Sequence, residues 1–296
     1  MQLSTLKCPA CGASVSVEEG STKFKCEYCS NTISIIKPVA IENKFVESLT
    51  EIDQRKFENY ISILHQSMLA GNYGEGYTYC NKALEINPKA AGIWENKAIC
   101  AFWLSHVKQF EEDKAIEIVT YLNASRQSDP DSPTYEQTCK DLAENLYWVV
   151  CYLYNSMQFD NYVQTSQGSR ISGYTLESQR RMLSYMRLFE VCYQIYPDVK
   201  YLKEFVICIT NGRGLQWVYK SPHNQLYSNT QTSNSLNLDA VSKRNQLIDK
   251  IKSIEPDYIP PGSEVKKKSH SGTIIAFCVI VFFILLVFIC ANLGKH

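Results

Sequence analysis

The residues most able to do chemistry are four cysteines near the amino terminus. They read Cys8-Pro9-Ala10-Cys11, then fourteen residues, then Cys26-Glu27-Tyr28-Cys29. A C-x-x-C turn brings two sulfurs to one side of an ion, and two such turns supply the four soft ligands of a tetrahedral site. The spacing predicts one structural Zn(2+) ion held by Cys8, Cys11, Cys26 and Cys29. Gly12, just after the first pair, can take positive φ and turn backbone amides toward the sulfurs. Ser30-Asn31 follows the second pair, and Asn tolerates the left-handed region. The fourteen-residue spacer suits one hairpin joining the two turns. Ala13–Val17, Thr22–Lys25 and Asn31–Ile35 alternate apolar and polar residues, the period of a strand. Pro38 closes the segment.

This pattern resembles the zinc ribbon of the CPxCG type, with all four ligand positions present. The resemblance covers residues 1–38 and implies a small β fold stapled by metal. It does not imply a function, because zinc ribbons serve many unrelated tasks. Lys7, Lys23, Lys25 and Lys37 stand against Glu18, Glu19 and Glu27, so the ribbon lacks a strong basic excess. A thioredoxin-type redox role for the C-x-x-C pairs would need a strand–helix–strand context that this segment lacks.

The elements that follow are helical. Leu49, Ile52, Phe57, Tyr60, Ile61, Leu64 and Met68 recur every three or four residues, and Gly71-Asn72 stops the run. Further helices are expected near 73–86, 93–104, 111–124, 135–155, 176–195, 199–210 and 239–254. Residues 157–174 and 211–237 are polar and read as loops, with ordered pieces near Leu215–Tyr219. Residues 60–101 resemble a tetratricopeptide repeat and the start of the next. Gly71-Asn72-Tyr73 matches the turn inside a repeat, Ala83-Leu84 and Pro88 match its end, and Trp94 and Ala98 match the next first helix. The resemblance implies close helix packing at Gly76, Ala83 and Ala98, and a groove for a protein or peptide partner. Later segments follow the pattern poorly. The fold class expected is mainly α, with a small β zinc ribbon and a TPR-like helical domain.

The last element is apolar. Ile274–Ala291 is eighteen residues without a charge, about 27 Å as a helix against a hydrocarbon core of ~30 Å. Lys266, Lys267 and Lys268 precede it, and Lys295 follows. The positive-inside rule then puts the amino-terminal side in the cytoplasm. The domain organisation expected is a zinc ribbon (1–38), a TPR-like α-helical domain (43–211), a polar loop with a final soluble helix (212–255), a linker (256–272) and a transmembrane helix (273–293).

Of the twelve cysteines, Cys278 and Cys290 fall in the anchor. Cys80, Cys100, Cys139, Cys151, Cys192 and Cys208 sit in apolar helical contexts without paired spacing, where free cysteine packs as a small hydrophobe. A reducing compartment fits them. Lys plus Arg equals Asp plus Glu at 30 each, so the basic excess of a phosphate-binding protein is missing. The histidines, His65, His106, His223, His270 and His296, form no metal spacing. No phosphate-binding or nucleophile-elbow motif occurs. Asn211-Gly212-Arg213-Gly214 lacks the lysine and helix that phosphate binding needs.

The sequence therefore points to a non-enzymatic, membrane-anchored cytoplasmic scaffold or adaptor. Its partners would be a protein or peptide at the helical domain and the lipid bilayer at 273–293. The alternative is a membrane-tethered nucleic-acid-binding or transcription-linked regulator acting through the ribbon. Deleting residues 273–293 is expected to shift the chain from the membrane pellet to the supernatant after carbonate extraction. A full chain that already sits in the supernatant would remove the anchor.

Overall fold

The computed structural model describes residues 3–18, 20–41, 49–105, 112–166, 176–211, 219–220, 226–227 and 234–261. Four short strands open the chain: β1 (Leu3–Lys7), β2 (Ser14–Glu18), β3 (Lys23–Lys25) and β4 (Thr32–Ser34). β1 pairs antiparallel with β2, Leu6 opposite Val15, and β3 pairs with β4, Phe24 opposite Ile33. The alternation in β2 holds in space: Val15 and Val17 are buried, while Ser14, Ser16 and Glu18 face out. The single hairpin expected across the spacer does not form. Each C-x-x-C turn closes a hairpin of its own, and the spacer carries the chain from one sheet to the other. The reason is local. Each cysteine turn is closed by its own backbone bonds, Cys8 to Ala13 and Cys26 to Asn31, so a ladder grows outward from it.

Among the described residues eight helices follow: α1 (Glu51–Leu69), α2 (Tyr73–Ile86), α3 (Ala91–Leu104), α4 (Glu112–Ser128), α5 (Tyr135–Ser166), α6 (Leu176–Ile195), α7 (Val199–Asn211) and α8 (Asn234–Ile254). Between α7 and α8 lies a two-residue ladder, β5 (Tyr219–Lys220) with β6 (Leu226–Tyr227). The start and stop signals are chemical. The Thr50 hydroxyl accepts from the Asp53 amide at the head of α1, and the Asn72 side chain accepts from the Glu75 amide at the head of α2. Gly71, at φ 74°, ends α1. Two expectations need correction. The segment 157–166 is the end of α5, not a loop. Polar residues do not break a helix, and no glycine or proline occurs from 134 to 167. Likewise α8 begins at Asn234, before the proposed cap at Asp239.

Successive helices pack on one another, α1 through α4 and then α5 through α8, and α4 also packs on α6. Small residues permit the close approaches. A Cβ on Gly76 would lie 3.1 Å from both the Cys100 sulfur and Cγ of Met68, and Ala83 and Ala98 are fully buried. Tyr73 stacks on Trp103, centroids 5.1 Å apart. Trp94 lies over Tyr121 and donates its indole N–H to the Pro88 carbonyl, 2.8 Å. Phe102, Phe189, Tyr201 and Phe205 fill the deepest positions.

Cys80, Cys100, Cys139, Cys192 and Cys208 are buried and Cys151 is half-buried, all as free thiols. Burial pushes the Cys139 and Cys151 thiols up to about 11 and Cys208 up to about 12. They are neutral packing groups at physiological pH. Residues 1–258 form one compact unit. Residues 262–296, with the predicted span, Cys278 and Cys290, lie outside the described residues. Among the described residues no helix is long and apolar enough to cross a membrane.

Gly76→Val is expected to lower stability by about 1–3 kcal/mol through overpacking between α1, α2 and α3. The urea midpoint should fall. An unchanged midpoint would show that the three helices are not held this closely.

Candidate metal centre

The four amino-terminal cysteines meet at one point. Their sulfurs all lie within 4.8 Å of one another. Cys8 and Cys29 are 3.8 Å apart, and Cys11 and Cys26 are 3.6 Å apart. A disulfide would need about 2.05 Å. A tetrahedral thiolate site with metal–sulfur bonds of about 2.3 Å has sulfur–sulfur edges of about 3.8 Å. The spacing therefore suits one metal ion held by four thiolates.

Each turn is built alike. In the first, the Cys8 amide donates to the Ala13 carbonyl and the Gly12 amide to the Cys8 carbonyl, both 2.8 Å. In the second, the Cys26 amide donates to Asn31, 2.9 Å, and the Ser30 amide to Cys26, 2.8 Å. The residue after each pair takes the left-handed conformation: Gly12 at φ 76° and Ser30 at φ 60°. Ser30, rather than Asn31, is thus the counterpart of Gly12. Cys8 and Cys26 are buried, and Cys11 and Cys29 are half-buried.

Burial raises the Cys8 thiol, partly offset by the Cys11 and Ala10 amides. Burial also lifts Cys29, to about 11. At Cys26 burial again opposes ionisation, but the Cys29 and Tyr28 amides together with the Cys11 and Cys29 side chains outweigh it and lower the thiol. A bound cation would reverse the raised values by stabilising thiolates.

Asn31 is free for another task. Its side-chain amide donates to the Trp148 carbonyl on α5, 3.2 Å. Three residues on, Asn145 of α5 pairs with Ser34 like a neighbouring strand: it accepts from the Ser34 amide and donates to the Ser34 carbonyl, each 2.9 Å. The chain then runs on without helix or turn to Ile41. Asn96 of α3 grips Val39 in the same way, accepting from its amide at 2.8 Å and donating to its carbonyl at 3.0 Å. The Val39 carbonyl also takes a bond from His65 Nε2 of α1, 3.0 Å. A carbonyl only accepts, so that nitrogen carries the proton. Asn96 and Asn145 are fully buried. Gly92 lets this segment in close, and Gly71 does the same for β1. A Cβ on Gly92 would lie 3.0 Å from the Ala40 carbonyl, and one on Gly71 would lie 3.0 Å from Leu6.

Sequence reading missed these asparagines, since two isolated amides on helices carry no spacing signal. It also missed Glu95, a fully buried carboxylate. Glu95 accepts from the hydroxyls of Ser125, Ser132, Thr134 and Thr138 at 2.9–3.2 Å. These bonds tie α3 to the end of α4 and the start of α5. A cleft of about 70 Å³ adjoins it at Ser132 and Thr134, well under the roughly 300–1,000 Å³ of small-molecule sites. The Lys97 ammonium sits over Tyr121, Trp94 and Tyr77, 4.3–5.4 Å from the ring centres. Glu117 takes the hydroxyls of Tyr77 and Tyr121. Of the histidines, His65 serves the Val39 grip, while His106, His223, His270 and His296 lie outside the described residues.

No protein-family model matches the chain. No curated protein matches it either.

Metal analysis of the purified chain should find one ion per molecule, lost in Cys8→Ser or Cys26→Ser. Because the thiols must shed protons to bind, occupancy should fall as pH falls and recover as it rises. A stoichiometry that ignores both the cysteines and pH would remove the site. Ser30→Gly should keep the metal and add about 1 kcal/mol, by relieving the left-handed strain of a residue with a Cβ.

Proposed function

We propose that the chain is a non-enzymatic, membrane-anchored protein-interaction module whose cysteines hold one structural zinc ion. Four thiolates are a donor set of structural zinc sites. Two hairpins of three to five residues per strand have little core of their own, and such modules draw about 10–16 kcal/mol of folding free energy from the metal. The helices are read as tetratricopeptide-like pairs, clearest in α1–α2 and α3, where Gly76, Ala83 and Ala98 sit at close contacts.

The observation that carries the interaction reading is the hold on residues 31–41. Alternate helices, α1, α3 and α5, send His65, Asn96 and Asn145 to the backbone of one continuous stretch, β4 and the extended residues after it. Side chains that read backbone N–H and C=O groups suit a surface for extended polypeptide. Anchoring would rest on the apolar run at 274–291, with the lysine triplet before it on the cytoplasmic side.

Affinity capture of the full chain from its own membranes should recover one protein in near-stoichiometric amount. Recovery of nucleic acid, with retention falling steeply as salt rises, would establish the regulator reading instead. Recovery of neither would overturn the interaction role.

A further inference from the structure

The surface formed by α1, α3 and α5 already has an occupant, the chain's own residues 31–41. Within that stretch Ile33, Ile36 and Val39 turn inward, at 0%, 7% and 6% exposure. Lys37 and Ala40 face solvent. The two backbone grips fall at Ser34 and Val39, five residues apart. The helices thus hold the polypeptide by two amide-to-backbone pairings, and the aliphatic side chains between and beside them join the common core. Nothing in these contacts demands a covalent link between groove and segment.

What holds the segment in register is the second cysteine turn. β4 supplies Ser34, and among the described residues its one strand partner is β3, a strand of three residues. A three-residue hairpin is not stable alone, and its turn consists of Cys26–Cys29, half of the metal site. Asn31, two residues past Cys29, makes the first contact with α5. Metal, hairpin and groove occupant are therefore mechanically in series.

We propose that the metal site is the latch of a self-occupied peptide groove. With the ion bound, residues 31–41 stay seated on α1, α3 and α5. When the ion is withdrawn, β3–β4 melts, the segment leaves, and the groove takes an extended segment of another polypeptide. That guest carries aliphatic residues in the Ile33/Ile36/Val39 pattern and two unpaired backbone positions five residues apart. While tethered, the resident segment has an effective concentration in the millimolar range. A guest of comparable intrinsic affinity is excluded until the latch opens. The identity of the guest rests on the interaction reading above; the latch does not.

Hydrogen exchange on the full chain tests the latch directly, comparing zinc-loaded protein with protein stripped by a chelator. The Ser34 and Val39 amides should lose at least 100-fold in protection on stripping, while amides within α3 and α5 keep theirs. Ser34 and Val39 amides that stay protected without metal would overturn the proposal. Simultaneous loss of protection in α3 and α5 would overturn it too, by making the metal a global staple. A labelled synthetic peptide of residues 31–41 then probes the groove by fluorescence anisotropy. It should bind the stripped full chain at least tenfold more tightly than the zinc-loaded chain. Asn96→Ala should remove that difference. Equal binding in both metal states would sink the guest site even where the exchange result stands. A working latch with no captured cellular partner would fault the interaction reading alone.

Discussion

A backbone that leaves a β-hairpin must satisfy its next N–H and C=O groups somewhere, and burial makes an unmet one expensive. Here the answer is side-chain amide. Asn145 completes the outer edge of β4 at Ser34, and Asn96 repeats the arrangement at Val39. An amide is the one neutral side chain that presents a donor and an acceptor side by side, as a neighbouring strand does. These two residues join the cysteine-bearing sheets to the helices. Without them the segment 31–41 would bury polar backbone against apolar helix surface.

The rest of the amino-terminal architecture follows from that attachment. β3–β4 is too short to persist without support from the metal below and from α5 beside it. β1–β2 meets the helices at the turn between α1 and α2, where Leu6 lies against Gly71. Glycine recurs where the two parts meet: a side chain at 92 would collide with Ala40 and Ile41, and one at 71 would crowd Leu6. The contact is thus cut into both partners, which distinguishes it from loose juxtaposition.

Polar groups inside the helices obey the same rule. Glu95 is fully enclosed, yet four hydroxyls point at it, so its burial is met by hydrogen bonds rather than by a cation. Lys97 finds three aromatic faces and the Glu117 carboxylate nearby. Desolvation still lowers its basicity against the pull of neighbouring negative groups. Both clusters stitch α3 to α4, and Glu95 also reaches α5. They are adjacent in sequence to Asn96, so one turn of α3 serves three separate polar junctions.

Four cysteines in two C-x-x-C pairs announced their own meeting, because a repeated local turn with soft ligands has few other uses. Apolar periodicity and the breakers Gly71 and Pro88 likewise marked most helices, since those signals act over a few residues. The end of α5 defeated the same reasoning: residues 157–166 lead into a glycine-bearing polar stretch, yet they carry no breaker themselves, and Phe159, Tyr162 and Val163 keep a helical spacing. What only the tertiary structure decided is long-range. Each cysteine pair sits in its own hairpin, and Asn96 and Asn145 receive the strand that follows. Those pairings join residues 57 and 111 positions apart. No local pattern encodes a partner at that distance, because a single amide on a helix reads the same whether it faces water or a buried backbone.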